Sequence, residues 1–347
     1  MRGGIGLSFK VVTFGEIMLR LSPPGYQRFV QASSFEAPYG GGEANVSVSL
    51  ANYGVNAYFV SKVPAHEIGQ CAVNALRSLG VNTDYILRSG DRLGIYFCET
   101  GASQRPSKVI YDRAHSSISE VDPGEFDWAS ILKGASWFHF TGITPALGDN
   151  VAAATLEALK VAKSMGVKVS ADLNYRKKLW PPEKANRVMT ELMQYVDVAI
   201  GNEEDTEKVF GIKAEASEVT KGELSVEGYR KVASELVRRF GFEKVAITLR
   251  ESLSASDNNW SGMLYDGHDF YQSRKYHVHI VDRVGGGDSF AGGLIYSLLT
   301  GTDPKSAVEF AAAASCLKHS IQGDLNLVGP SEVKTLAEGD SSGRVQR

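Results

Sequence analysis

The segment that most constrains this chain is YHVHIVDRVGGGDSFAGGLIYSLLTG, residues 276–301. A strand expected over 276–281 runs through Asp282 into Gly285, Gly286 and Gly287, then into Asp288 and a helix ending near Gly301. Three consecutive glycines at a helix start let backbone N–H groups converge with no Cβ atoms in the way. The helix dipole adds partial positive charge, so the segment is a ready anion site. Asp288 falls in the first turn beside that anion, where a carboxylate can take the proton of a hydroxyl attacking phosphorus. Taken alone, the segment also admits a flexible loop followed by a helix cap. A dinucleotide fingerprint is disfavoured, because neither GGGDSF nor the first strand, VVTFGEIML, carries the G-x-G-x-x-G spacing.

The surrounding chain sets the fold class. From Trp137 onward, apolar strands (WFHFTG, VKVSADLN, VDVAIGN, KVAITL) alternate with helices expected over 150–165, capped by Asn150, and over 228–240. That alternation predicts an α/β fold with a doubly wound, mostly parallel sheet flanked by helices, and near-continuous apolar strands agree with burial on both faces. Earlier, a strand from Lys10 is followed by a helix over 43–53, a strand over 55–63 and a helix over 68–79, with Gly54 and Gly80 as stops. Two β-rich pieces, roughly 16–40 and 90–113, break the alternation; they are expected to pair as a small sheet over the main one. The domain is expected to span 10–338, with 1–9 and 339–347 as flexible ends.

Composition narrows the function. The 347 residues are 43% hydrophobic and 22% charged with net charge −3, which gives no reason to expect nucleic acid or an anionic membrane as partner. No apolar run reaches the ~18 residues of a membrane span, and the opening MRGGIGLSF does not read as a secretion signal. Cys71, Cys98 and Cys316 are odd in number and far apart, which points to reduced thiols in a cytoplasmic setting. The edges of a small exposed sheet lead us to expect a homo-oligomer.

The segment VDRVGGGDSFAGG resembles the C-terminal signature of the ribokinase-like (PfkB-type) sugar kinases, usually D-T-T-G-A-G-D. The N-terminal signature of that family, G-G-x-x-x-N opening a helix, is matched by Gly41, Gly42 and Asn45 in YGGGEANVSVSLANYG. Two motifs about 240 residues apart, in the right order, are far more specific than either alone. The resemblance covers Lys10 to about Val333 and within the family is strongest to 2-keto-3-deoxygluconate kinases. It implies a ribokinase-like fold with a small β-sheet lid, and ATP-dependent, Mg²⁺-assisted phosphorylation of a sugar acid. A monovalent cation is a further possibility.

The same resemblance implies site roles residue by residue. Asp288 becomes the catalytic base, and Gly285, Gly286 and Gly287 the anion hole. Gly41, Gly42, Asn45 and Asp282 fall to the substrate. KVIYDRAHSS gives Tyr111 and Arg113 to the sugar acid, GIYF adds Tyr96, and SADLNYRKKLW gives Arg176 to the substrate and Asn174 to the substrate or phosphate side. Two arginines on one small ligand suit a carboxylate, though a phosphorylated sugar would satisfy them equally. GNEEDTEKVFG resembles an N-x-x-E element that holds Mg²⁺ through water; Asn202 matches, and either Asp205 or Glu204 takes the glutamate's place, unless the acids only favour a helix start. VAITLRES brings Thr248 and Arg250 to the nucleotide. Arg250 stands where glycine is common, Arg283 and Val284 where threonines are, and Gly286 where alanine is. Arg283 faces either phosphate or solvent. The alanines at 311–314 either flank adenine or pack the helix. VPAHEIG departs from V-G-x-D-x-x-G, with Pro64 and His66 in place of an expected polar contact.

Overall fold

The computed structural model describes residues 7–213 and 226–340. The strands are β1 (Leu7–Phe14), β2 (Met18–Leu21), β3 (Tyr39–Gly40), β4 (Val55–Val63), β5 (Ile86–Arg88), β6 (Gly94–Glu99) and β7 (Lys108–Asp112). They continue with β8 (Ala135–Thr141), β9 (Lys168–Asp172), β10 (Val198–Gly201), β11 (Lys244–Ser252), β12 (Asp257–Tyr265), β13 (Phe270–Gln272) and β14 (Tyr276–His279). The first strand opens at Leu7, three residues before the expected start at Lys10. The rest of the expected flexible ends, 1–6 and 341–347, lies outside the described residues.

The large sheet has the order β13-β12-β11-β10-β9-β8-β1-β4-β5, with β14 also on β12. Neighbours from β11 through β5 run parallel, while β12 is antiparallel to β11, β13 and β14. Successive strands step outward from β1 in opposite directions, through β4 and β5 on one side and β8 to β11 on the other. This is the expected doubly wound arrangement, and such a reversal leaves a crevice at the carboxyl ends of the central strands.

Two apolar layers hold the sheet. Alternation along β1 and β8 sends Val12, Phe14, Phe138 and Phe140 to one layer and Val11 and Trp137 to the other. The first layer is closed by helix Asp149–Ser164 through Ala154, Ala158 and Leu159; the second by helices Gly42–Asn52, Gly286–Leu299 and Pro304–His319. The alanines at 311–314 are completely buried, and a Cβ on Gly293 would lie 3.1 Å from Ala311 Cα, so they serve helix packing. Helix Asp149–Ser164 is capped by Gly148 rather than Asn150, whose amide instead donates to Asp122 at 3.1 Å.

The two irregular pieces do form a separate small sheet, ordered β3-β2-β6-β7. Strands β2 and β6 run parallel, with β3 and β7 antiparallel on the two edges. Among the described residues no helix is long and apolar enough to cross a membrane.

Candidate active site

Every residue expected at the site except Asp282 lines one cavity of about 510 Å³, between the carboxyl ends of the central strands and the small sheet. Its floor is the glycine turn. Gly285 has φ 83°, and a Cβ there would stand 1.9 Å from the carbonyl oxygen of Asp324, so no other residue fits. A Cβ on Gly286 would come within 2.6 Å of the His319 ring, which explains glycine where the resembling signature has alanine. Gly287 differs: nothing lies within 4 Å of a Cβ placed there. No protein atom requires glycine at that position, and its space opens to the cavity.

Asp288 sits in the first turn of helix Gly286–Leu299. Its Oδ2 accepts from Asn45 Nδ2 at 2.7 Å, and Asn45 Oδ1 accepts from the Gly41 N–H at 3.2 Å, which fixes the amide's orientation. Gly41 is needed because a Cβ would lie 1.9 Å from the Glu16 carbonyl oxygen. Burial pushes the Asp288 carboxyl up to about 6; the Asn45 hydrogen bond opposes that, and the charge of Asp324 adds to it.

Asp172, at the carboxyl end of β9, was not singled out in the sequence. It lines the cavity, and burial together with the charges of Asp205 and Asp288 holds its carboxyl well above the usual range. Burial also raises Asp205 to about 6, although its Oδ1 accepts from the Tyr175 N–H at 3.0 Å. Asn202 caps helix Glu203–Phe210 by accepting from the Asp205 N–H at 2.9 Å, so its amide oxygen is already used. Asn174 adopts φ 39°, a left-handed conformation that asparagine tolerates better than most residues. Glu204 is exposed on the cavity wall. Among the described residues no three His, Cys, Asp or Glu groups form a ready metal cage. Three carboxyls raised by burial and by neighbouring carboxylates, Asp172, Asp205 and Asp288, would be returned to the ionised form by a dication, and a hydrated one suits them, since Mg²⁺ keeps most of its waters.

The two expected substrate arginines differ. Arg113 is buried, stacks over the Tyr111 ring at 4.7 Å and pairs with the buried Glu16 at 2.7 Å. Arg176 donates only to the Tyr175 carbonyl, at 3.0 Å, and none of the described carboxylates forms an ion pair with it. Tyr96 lines the same wall, but its hydroxyl donates to Asp324.

Asp282 is the expectation the structure moves. Its Oδ2 accepts from Arg20 at 2.6 Å and from the Gly323 N–H at 3.0 Å, and its Oδ1 accepts from the Val284 N–H at 3.1 Å. It therefore supports the turn from behind and does not reach the cavity. Arg20 also holds Asp324, at 2.7 Å, and the fully buried Lys318 donates to the Asp282 carbonyl at 3.3 Å. His66, from the departing VPAHEIG segment, caps helix Glu67–Ser78 by accepting from the Ile68 N–H at 3.2 Å.

A carboxylate and a glycine-started helix at the crevice of a doubly wound sheet, under a second small sheet, define a phosphotransferase for small hydroxyl compounds. The chain belongs to the pfkB family of carbohydrate kinases, whose family model matches residues 8–326. It is therefore a sugar kinase, transferring phosphate to a hydroxyl. Among curated relatives, the chain is 34% identical to the 2-dehydro-3-deoxygalactonokinase of Haloferax volcanii, over 97% of this chain and 99% of that protein. It is 30% identical to the 2-dehydro-3-deoxygluconokinase of Thermoproteus tenax, over 94% and 93%. The crystal structure of 2-dehydro-3-deoxygluconokinase from Thermotoga maritima superimposes with a TM-score of 0.93 at 55% identity, covering 95% of this chain and all of that one.

Proposed function

We propose that this kinase phosphorylates 2-keto-3-deoxygluconate on its terminal hydroxyl, with ATP as donor, to give the 6-phosphate. The observation that carries the reading is Asp288: one carboxylate oxygen held by Asn45, the group facing a cavity, at the start of a helix with free glycine N–H groups. The names of the similar proteins support a sugar acid as acceptor.

Asp288 takes the hydroxyl proton as the acceptor oxygen bonds to the γ-phosphorus and the bond to the bridging oxygen breaks, releasing ADP. The N–H groups of the Gly285, Gly286 and Gly287 turn face the charge that develops on the transferring group. Loss of one such donor typically costs ~3 kcal/mol of barrier. Asp205 and Glu204, with Asp172 behind them, would hold Mg²⁺ through water, and that ion screens the donor phosphates when bound. Arg176, which forms no ion pair with a described carboxylate, meets the acceptor carboxylate, while Arg113, anchored by Glu16, orients Tyr111 beside it.

The test is a coupled ATP-consumption assay with Mg²⁺ against 2-keto-3-deoxygluconate, gluconate, fructose, ribose and adenosine. A kcat/KM for 2-keto-3-deoxygluconate well above the rest is expected. Turnover confined to a neutral sugar or nucleoside would overturn the acceptor and leave the role of Asp288 standing.

A further inference from the structure

At the end of the cavity formed by β11, β12 and the turn before Gly285, positive charge collects with no ion pair among the described residues, although the charge of Asp282 acts on Arg283 from nearby. Arg250 and Arg283 both line this end, and Arg250's charge is near enough to help lower the Arg283 guanidinium, after burial. Among the described residues no carboxylate pairs with either arginine. Their acidic neighbours in sequence are engaged elsewhere: Glu251 with Lys275 at 2.6 Å, Asp257 with His279 at 2.8 Å and Asp282 with Arg20 at 2.6 Å. Of the other groups packed here, Lys318 is turned to backbone carbonyls and burial lowers His319 to about 4, so that ring is neutral.

The neighbouring polar atoms also lack partners. Asn258, 1% exposed, leaves both amide atoms without a hydrogen bond, and so do Trp260 Nε1 and Arg283 Nε. Register puts Arg250 opposite Trp260 and Ser252 opposite Asn258, so all four side chains share one face of the hairpin. Arg283's one bond is from Nη2 to the Ala255 carbonyl, at 2.9 Å. Buried donors are seldom left unmade, and like charges are seldom left facing each other, unless a ligand completes them.

We propose that Arg250 and Arg283 form a clamp for the donor's non-transferred phosphates, so that donor affinity is set by phosphate number. This rests on the reading that a nucleoside triphosphate occupies the site. The guanidinium fork matches two phosphate oxygens. A chain of phosphates whose last phosphorus lies at the Gly287–Asp288 helix start would extend along the turn that carries Arg283. Arg250 stands where glycine is common in the resembling family, and Arg283 where its signature has threonine.

The experiment is calorimetric binding of inorganic tripolyphosphate, AMP, ADP and ATP, without sugar, to wild type, Arg250→Gln and Arg283→Gln. Affinity should climb from AMP to ATP, tripolyphosphate should compete with ATP, and each variant should bind tripolyphosphate about ten-fold more weakly or worse. In turnover, KM for ATP should rise while KM for the sugar stays within about two-fold. Arg283→Gln loses a loop contact, whereas Arg250 is exposed and its side chain makes no hydrogen bond among the described residues, so an unchanged melting temperature of Arg250→Gln assigns its loss of binding to the clamp. AMP binding as tightly as ATP, or tripolyphosphate binding unchanged in both variants, would overturn the clamp. A protein that bound tripolyphosphate through both arginines yet turned over no sugar acid would sink the acceptor reading and leave the clamp intact.

Discussion

Asn45 donates to Asp288 across 2.7 Å, joining the early turns of two helices whose residues lie 243 apart in sequence. The bond holds one carboxylate oxygen and leaves the other toward the cavity, so the base has a fixed direction. It also favours the ionised form and holds the carboxyl lower than burial alone would.

Replacing Asp288 by Asn should abolish nearly all turnover while leaving the fold intact, since the new amide oxygen can still accept from Asn45. A variant that kept a tenth of the activity would remove Asp288 from the base's role. The same substitution should raise the melting temperature at neutral pH. The folded carboxyl titrates near 6, above its ordinary 3.8, so the folded state binds more protons between those values. Stability therefore falls as pH rises through that window, and the neutral amide is spared the loss. Thermal melts at pH 4 and pH 7 would compare the two proteins.

The pH profile follows from the same group. A base must be ionised, so kcat/KM should rise with pH to a plateau and be half-maximal near 6. At pH 5 the rate should be about ten-fold below the plateau. Asn45→Ala removes the bond that favours the carboxylate and should move the acid limb to higher pH. An unmoved limb would mean that another group sets the profile.

The glycines should separate structure from chemistry. Gly285→Ala needs a left-handed alanine against the Asp324 carbonyl and should cost several kcal/mol of stability, by the strain and overpacking rules. Gly287→Ala meets open space, so its melting temperature should match wild type while turnover falls steeply. Gly286→Ala should fail alone and recover when His319 is also trimmed to alanine. Circular dichroism melts beside steady-state rates would separate all three.

The arginines should part in the same way. Arg176→Met should raise KM for the sugar acid with a smaller loss of stability than Arg113→Met, because it breaks no ion pair. It should also move the acid limb to higher pH, because its charge favours ionised Asp172, Asp205 and Asp288. Arg113→Met strands Glu16, a buried carboxylate, and should lose stability of the order of 3 kcal/mol as well as affinity. Glu16→Gln added to Arg113→Met should restore much of the stability and none of the affinity. Denaturant unfolding paired with KM measurements would show the split.

What the sequence disclosed and concealed divides along one physical line. The doubly wound sheet, the small sheet and the glycine turn are written in local patterns, namely apolar runs, turn residues and a helix start. Asp172 was legible in principle, since an aspartate closing an apolar strand in such a sheet points into the crevice. Asp282 stood beside the signature and resembled a ligand residue, but the partner that claims it, Arg20, is 262 residues away. The Arg20, Asp324 and Lys318 contacts likewise join segments with no common pattern. The His319 ring explains the unusual Gly286, yet only the packed structure brings the two together.

Arg20 belongs to β2, one of the two inner strands of the small sheet, and both carboxylates it grips belong to segments that shape the glycine turn. The cover and the catalytic floor are thus riveted together by buried charge, Tyr96 of β6 adds a further bond to Asp324, and the edge strand β7 is the part left to diverge without disturbing the turn. An engineer exchanging acceptor specificity with a relative should graft that edge strand and leave Arg20, Tyr96, Asp282 and Asp324 as an inherited set. A wholesale cover swap that imports a neutral residue at position 20 would leave two carboxylates stranded beneath the anion hole, and would be paid for in phosphoryl transfer however well the new sugar fits.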